Sequence, residues 1–367
     1  MATRNKPAGI RSLVYGMQKG KVGIEGLSVS VSHGVPWVSG AYTPDMPTQT
    51  WLITGGAGYI GSHVADAFLA SGRKVVIYDS LRQGLESRIE YLQEKHQTNV
   101  PLIVADIRDA HKFEEVLNIY RPYGIAHTAA LKSVTESVAK PLEYFEVNLD
   151  ATRYILELLE KHNVKNFIFS STAAVYGNPD HSNPVKESDE KNPISPYGES
   201  KLAAEFEVNK FLNQPGHHGT SLRFFNAVGA GAPALLDNSV ANLVPLVIDK
   251  LNAGEPPVIF GTDYSTPDGT CIRDYVDVRD VAHAHLVAAN AIGLLPKALN
   301  IGTGRGTSVR QVIKIICEVS GRNGVETLEG ERREGDSAFL CADVSQMKSA
   351  TGFVSKYSFV QSIESLF

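Results

Sequence analysis

Tyr197 and Lys201 stand one helical turn apart, and their types and spacing carry the clearest chemistry in the chain. A phenol ordinarily titrates near pH ~10. An ammonium group on the same helix face favours the phenolate and lowers that value. A tyrosine assisted in this way can take the proton of a substrate hydroxyl. Such a base is useful where a hydride acceptor is held beside it. Upstream, Thr54-Gly55-Gly56-Ala57-Gly58-Tyr59-Ile60-Gly61 has the composition of a dinucleotide-binding turn. Together the two segments imply oxidation of a hydroxyl against a bound nicotinamide dinucleotide.

The elements that must position these groups are legible around them. Trp51-Leu52-Ile53 is short and apolar, which predicts a buried parallel strand. Residues 62–70 repeat apolar side chains at helical spacing. Gly55, Gly58 and Gly61 thus fall where a strand hands over to a helix, the place where backbone N–H groups cradle a pyrophosphate. A second strand over residues 74–78 ends at Asp79. A carboxylate there holds adenosine ribose hydroxyls and repels a 2′-phosphate, favouring NAD over NADP, whereas Arg82 argues the other way. Residues 101–105 predict a third strand, followed by Asp106. Residues 124–130 predict a fourth, whose small Ala129 and Ala130 let backbone approach a cofactor. Residues 165–172 predict a fifth, with the hydroxyls of Ser170, Ser171 and Thr172 at its carboxyl end, facing the ligand crevice.

The fold class is therefore α/β, a Rossmann-type doubly wound parallel sheet. After residue 228 the alternation becomes less regular and proline is frequent (Pro233, Pro245, Pro256, Pro257, Pro267), which predicts a smaller C-terminal α/β substrate lobe. The expected division is an N-terminal extension over residues 1–45, a dinucleotide-binding domain over 46–228 and a substrate lobe over 229–367. The extension is poor in acids, carries Arg4, Lys6, Arg11, Lys19 and Lys21, and shows no sustained periodicity. It reads as a targeting segment, an appendage, or sequence upstream of a true start at Met46.

Composition excludes several classes. The chain has 367 residues, 43% hydrophobic and 20% charged, with a formal net charge of −5, unlike a disordered chain or a basic nucleic-acid binder. No apolar run reaches membrane-spanning length. Cys271, Cys317 and Cys341 are few and far apart, which suits free thiols in a reducing, cytoplasmic setting. His283 and His285 have no Cys or Asp at ligand spacing, so no metal is expected. His127, inside an apolar strand pattern, reads as a core or cofactor-side histidine.

From about Thr50 to about Phe359 the chain resembles the extended short-chain dehydrogenase/reductase superfamily, and within it the UDP-glucose 4-epimerase family. The segments that carry the resemblance are residues 55–63, 105–108, 131–138, 165–172, 195–201, 223–226, 272–275 and 332–336. It implies Tyr197 as acid/base, Lys201 as its partner on the nicotinamide ribose, and Thr172 as the hydroxyl bridging to the sugar oxygen. It implies NAD contacts from Gly55, Gly58, Tyr59, Ile60, Gly61, Asp79, Asp106, Ile107, Ala129, Ala130, Lys132, Asn148 and Phe225. Asn226, Asn242, Leu243, Phe260, Arg273, Arg333 and Asp336 match positions around a uridine diphosphate and its sugar. Arginines suit a diphosphate because a guanidinium donates in a planar fork.

The resemblance further implies interconversion of UDP-glucose and UDP-galactose through a 4-keto intermediate, with NAD retained, in a homodimer. Other UDP-sugars, N-acetylhexosamines or pentoses, are the alternative substrates. A nucleotide-sugar dehydratase of the same superfamily places Asp-Glu directly after the Thr; here Ala173 and Ala174 stand there, and methyl groups transfer no protons. A non-catalytic NAD sensor would not need Tyr197, Lys201 and Thr172. Counting four residues from Asp336, the resemblance puts Leu340 beside the sugar 2-substituent. It also implies a further helix after Phe359, where this chain ends at Phe367, so the last helix is expected to be short.

Overall fold

Five expected strands appear where hydrophobic patterning puts them. The computed structural model describes residues 49–179, 183–239, 242–333 and 336–367; the N-terminal extension lies outside them. The strands β1 (Thr50–Thr54), β2 (Lys74–Asp79), β3 (Leu102–Val104), β4 (Gly124–His127), β5 (Asn166–Thr172) and β6 (His218–Phe224) belong to one sheet. The chain then leaves it for β7 (Asn226–Val228), β8 (Val258–Phe260) and β9 (Ile272–Asp277). It returns with β10 (Ala298–Ile301) and leaves again for β11 (Gly306–Ser308), β12 (Leu328–Gly330) and β13 (Phe339–Leu340). The large sheet runs β10-β6-β5-β4-β1-β2-β3, with all its pairings parallel.

Successive strand residues point to opposite faces, and both faces are covered. Trp51, Ile53, Val75 and Ile77 face Val64 and Phe68 of the helix Tyr59–Ala70 and Val281, Ala284 and Ala288 of the helix Val278–Asn290. Leu52, Val76, Tyr78, Phe167 and Phe169 face the helices Ala110–Tyr120, Ala151–Lys161 and Pro196–Leu212 through Phe113, Leu156 and Val208. A second core, including Val244, Ile259, Tyr275, Val312, Ile316 and Ile363, lies under the smaller sheets. In these, β7, β11 and β13 associate with β9, while β12 pairs with β8.

The expected break at residue 228 is interleaved rather than clean. β10 extends the large sheet beside β6, from Ala298↔Ser221 to Ile301↔Phe224, and the helix Val278–Asn290 covers one of its faces. Without β10 the backbone of β6 would be an open edge. Thr48–Phe367 accordingly form one compact unit. Among the described residues no helix is long and apolar enough to cross a membrane.

Candidate active site

The strand ends of β1, β2 and β4 converge on a cavity floored by the glycine turn. Gly55 takes a left-handed φ of +68°, and a Cβ there would sit 2.7 Å from the backbone of Ala129. A Cβ at Gly61 would lie 2.1 Å from the Gly55 carbonyl oxygen, so only glycine lets the helix Tyr59–Ala70 start so close to β1. Gly58 differs: within 4 Å its Cβ would meet only the Gly55 carbonyl oxygen, at 3.1 Å, leaving the cavity side open. This cradle at a helix start fits a dinucleotide pyrophosphate. Gly55, Gly58, Tyr59, Ile60, Gly61, Asp79, Asp106, Ile107, Ala129, Ala130 and Lys132 all line the cavity. Asp79 Oδ2 accepts from the Ala57 N–H at 3.0 Å and Oδ1 from the Leu81 N–H at 2.8 Å. Burial pushes its pKa up, and those backbone donors pull it back.

Two expected cofactor contacts stand elsewhere. Asn148 lies on a π-helical turn, Glu146–Asp150, behind the cavity wall. Its Oδ1 accepts from the Leu131 N–H at 2.9 Å, and its Nδ2 donates to the Leu131 carbonyl and to Ser200 Oγ, both at 3.0 Å. With both amide atoms engaged by the chain, Asn148 ties the Lys132 loop to the helix of Tyr197 and Lys201 and does not line the cavity. Phe225 lines a second, adjoining cavity, while its neighbour Phe224 lines both.

Tyr197 stands at the junction. It lines both cavities, whereas Lys201 lines the first and Thr172, at the end of β5, lines the second. Their helix begins with Ser195 as its cap, the hydroxyl accepting from the Gly198 N–H at 3.2 Å, and with Pro196 in the first turn. Burial raises the Tyr197 pKa, and a hydrogen bond from Thr172 lowers it. Burial lowers Lys201 to about 7 against the opposing pull of Glu205, and Lys201 Nζ lies 4.1 Å from the Phe169 ring centre. The lowering influence on the phenol within the chain is the Thr172 hydrogen bond.

His127 is a core residue, as its strand pattern suggested. Burial depresses its pKa to about 3, with Thr54 Oγ1 at 2.7 Å and Thr152 Oγ1 at 3.1 Å. His285 is likewise buried, against Ser170 Oγ and the Val281 carbonyl, both at 2.8 Å. No group of three His, Cys, Asp or Glu suited to a metal occurs among the described residues.

The second cavity gathers Thr172, Asn226, Asn242, Leu243, Arg273, Asp336 and Leu340. Arg273 is oriented by its strand neighbours: Nη1 donates to the Ser337 carbonyl at 2.7 Å and to the Ile272 carbonyl at 3.0 Å, and Nη2 faces Asp336 Oδ1 at 3.4 Å. Leu340 on β13 pairs in register with Arg273 on β9 and faces the cavity, whereas Cys341 is buried behind it. Phe260 and Arg333 stand outside the lining, stacked on each other at 4.1 Å. Arg333 is exposed and its neighbours Glu334 and Gly335 lie outside the described residues.

Sequence reasoning missed Asp237, which lines both cavities. Its Oδ2 is 3.7 Å from Lys132 Nζ and accepts from Asn242 Nδ2 at 2.7 Å. It sits in an irregular stretch where no periodicity marks it. Arg88, buried on the helix Glu86–His96, was missed too; it donates to the Ala57 carbonyl at 3.0 Å and to the Leu236 carbonyl at 2.5 Å, clamping that stretch onto the glycine turn.

Residues 51–302 match the NAD dependent epimerase/dehydratase family. The chain belongs to that family. A UDP-glucose 4-epimerase of Oryza sativa subsp. japonica is 38% identical over 330 residues, covering 84% of this chain and 87% of its own. A UDP-glucose 4-epimerase structure from Stenotrophomonas maltophila, with bound NAD and formylated UDP-arabinopyranose, matches with a TM-score of 0.80 at 35% identity, covering 87% of this chain and 96% of its own. Another from Bifidobacterium longum, in complex with NAD+ and UDP, gives 0.79 at 35% identity, covering 86% and 96%.

Proposed function

We propose that the protein interconverts UDP-glucose and UDP-galactose by reversible oxidation at sugar carbon 4. The observation that carries this reading is Tyr197 at the junction of the glycine-floored cavity and the arginine-bearing one, with the Thr172 hydroxyl beside it. NAD, when bound, supplies hydride acceptance and return. Tyr197 takes the proton of the 4-hydroxyl and later gives one back, with Thr172 orienting the exchange. Lys201 holds the ribose next to the nicotinamide. Arg273, Asn226 and Asn242 grip the nucleotide diphosphate, leaving the 4-keto sugar free to turn over between the two transfers. Ala173 and Ala174 line the sugar cavity with methyl groups, which favours epimerisation over the dehydratase chemistry of the same family. By family, the reading extends to a cytoplasmic homodimer.

A turnover assay on UDP-galactose tests the activity, and denaturing the purified protein tests the cofactor. Released NAD or NADH is expected. Recovery of NADP, or of an empty protein active only with added free dinucleotide, contradicts the reading.

Substrate width follows from Leu340, whose side chain borders the sugar cavity and offers no hydrogen bond to an acetamido group. Efficient exchange of the plain hexoses is expected, with weak or absent turnover of UDP-N-acetylglucosamine. Leu340→Ser should raise the N-acetyl reaction, and Leu340→Tyr should abolish it while sparing the hexose reaction. Comparing kcat/KM for both sugars across the three proteins decides this; a ratio indifferent to the size of residue 340 rejects it.

A further inference from the structure

The cavity end beside Asp79 contains two arginines, and both are already engaged. Arg108 Nη2 lies 2.7 Å from Asp106 Oδ2, and its Nη1 lies 3.7 Å from Glu146. Arg82 is paired with two glutamates: Nη1 is 2.5 Å from Glu143 Oε1, and Nη2 is 3.4 Å from Glu136 Oε1. The two glutamates belong to the short helices Val134–Ala139 and Pro141–Phe145, which follow β4. They are held in place independently of Arg82. Lys140 Nζ lies 3.0 Å from Glu136 and 3.9 Å from Glu143, and the Tyr144 hydroxyl donates to Glu136 Oε2 at 3.1 Å. The Asp79 carboxylate is fixed by the Ala57 and Leu81 N–H groups. A 2′-phosphate placed there needs a compensating cation.

We propose that Glu136 and Glu143 set the dinucleotide preference of this enzyme by holding Arg82 away from the adenosine ribose. The proposal rests on the reading of the first cavity as a dinucleotide site. Asp79 disfavours a 2′-phosphate directly; the glutamate pair removes the guanidinium that would otherwise receive it. Once the two carboxylates lose their charge, Arg82 becomes available to donate its planar fork to the phosphate. One charge-assisted contact of this kind changes affinity by about ten- to a hundredfold.

The experiment equilibrates purified protein with graded NADP and NAD mixtures until the bound ratio is constant, then releases and quantifies the dinucleotides. In Glu136→Gln/Glu143→Gln, the NADP:NAD selectivity is expected to rise about three- to tenfold over the unaltered protein, the gain being capped by the strength of the part-exposed pairs that are released. Adding Arg82→Ala should cancel that gain. An unchanged ratio in the double variant overturns the proposal, as does a gain that survives Arg82→Ala. Both of these leave NAD bound and the dinucleotide reading intact. An unaltered protein that holds neither dinucleotide overturns that reading and this proposal together.

Discussion

Tyr197→Phe is expected to leave the fold and dinucleotide binding intact and to lower turnover of UDP-galactose by a factor on the order of 10² to 10⁴. The substitution removes one oxygen from a ring that keeps its packing, since Tyr144 meets Tyr197 edge-on at 6.4 Å between ring centres. What is lost is the hydroxyl at the junction of the two cavities, the proposed proton acceptor. Burial raises the pKa of the phenol, and the Thr172 hydrogen bond is the opposing influence within the chain. Thr172→Ala should therefore impair turnover less than Tyr197→Phe and more than Thr172→Ser, which keeps the hydroxyl. Single-turnover measurements of the NADH absorbance band, alongside steady-state rates, check both the size and the order of these effects. Near-normal turnover in the phenylalanine variant sinks the acid/base assignment.

The parts of this site that follow local rules were legible in the sequence. Gly55, Gly58 and Gly61 bridge an apolar run and a helical repeat, and that context alone marks the turn. Asp79 and Thr172 end strands whose length the apolar runs fix, and those ends face the crevice. Tyr197 and Lys201 share a helix face by spacing. The remainder depends on contacts between distant segments. Asn148 has the residue type of a ligand contact, yet its π-helical turn aims it at Leu131 and Ser200. Arg333 shares a charged motif with Asp336, but Phe260, from a strand more than sixty residues earlier, captures it. Asp237 acquires its position from Arg88, which holds the preceding Leu236 carbonyl. Only the pairing of β10 with β6 shows that the large sheet reclaims the chain.

Beside Tyr197 and Lys201 lies an ion pair whose disruption should cost about 3–5 kcal/mol of stability. Glu205 stands one helical turn beyond Lys201, and Arg223 lies across from it on β6; the two are 2% and 5% exposed. Arg223 Nε donates to Glu205 Oε1 at 2.9 Å, and Nη2 donates to Oε2 at 2.6 Å. The Ser171 hydroxyl, next to Thr172, donates to Glu205 Oε1. Arg223 Nη1 donates to the Tyr176 hydroxyl at 3.0 Å, which in turn donates to Asn300 Oδ1 at 2.7 Å. The network thus joins the ends of β5, β6 and β10 to the helix bearing Tyr197. Glu205→Ala leaves a buried guanidinium without its carboxylate, and Arg223→Ala leaves a buried carboxylate without its guanidinium. Each is expected to fall in the stated range, because the stranded charge keeps its desolvation penalty and loses its compensation. Replacing both, as Glu205→Leu/Arg223→Met, should cost less than either single change, since apolar groups of similar volume carry no such penalty. Urea unfolding, with midpoints converted through matched slopes, measures all three. Single-variant losses below about 1 kcal/mol would assign the pair the weight of a solvated surface bridge. A double variant as unstable as the sum of the singles would show two independent contributions in place of one coupled pair.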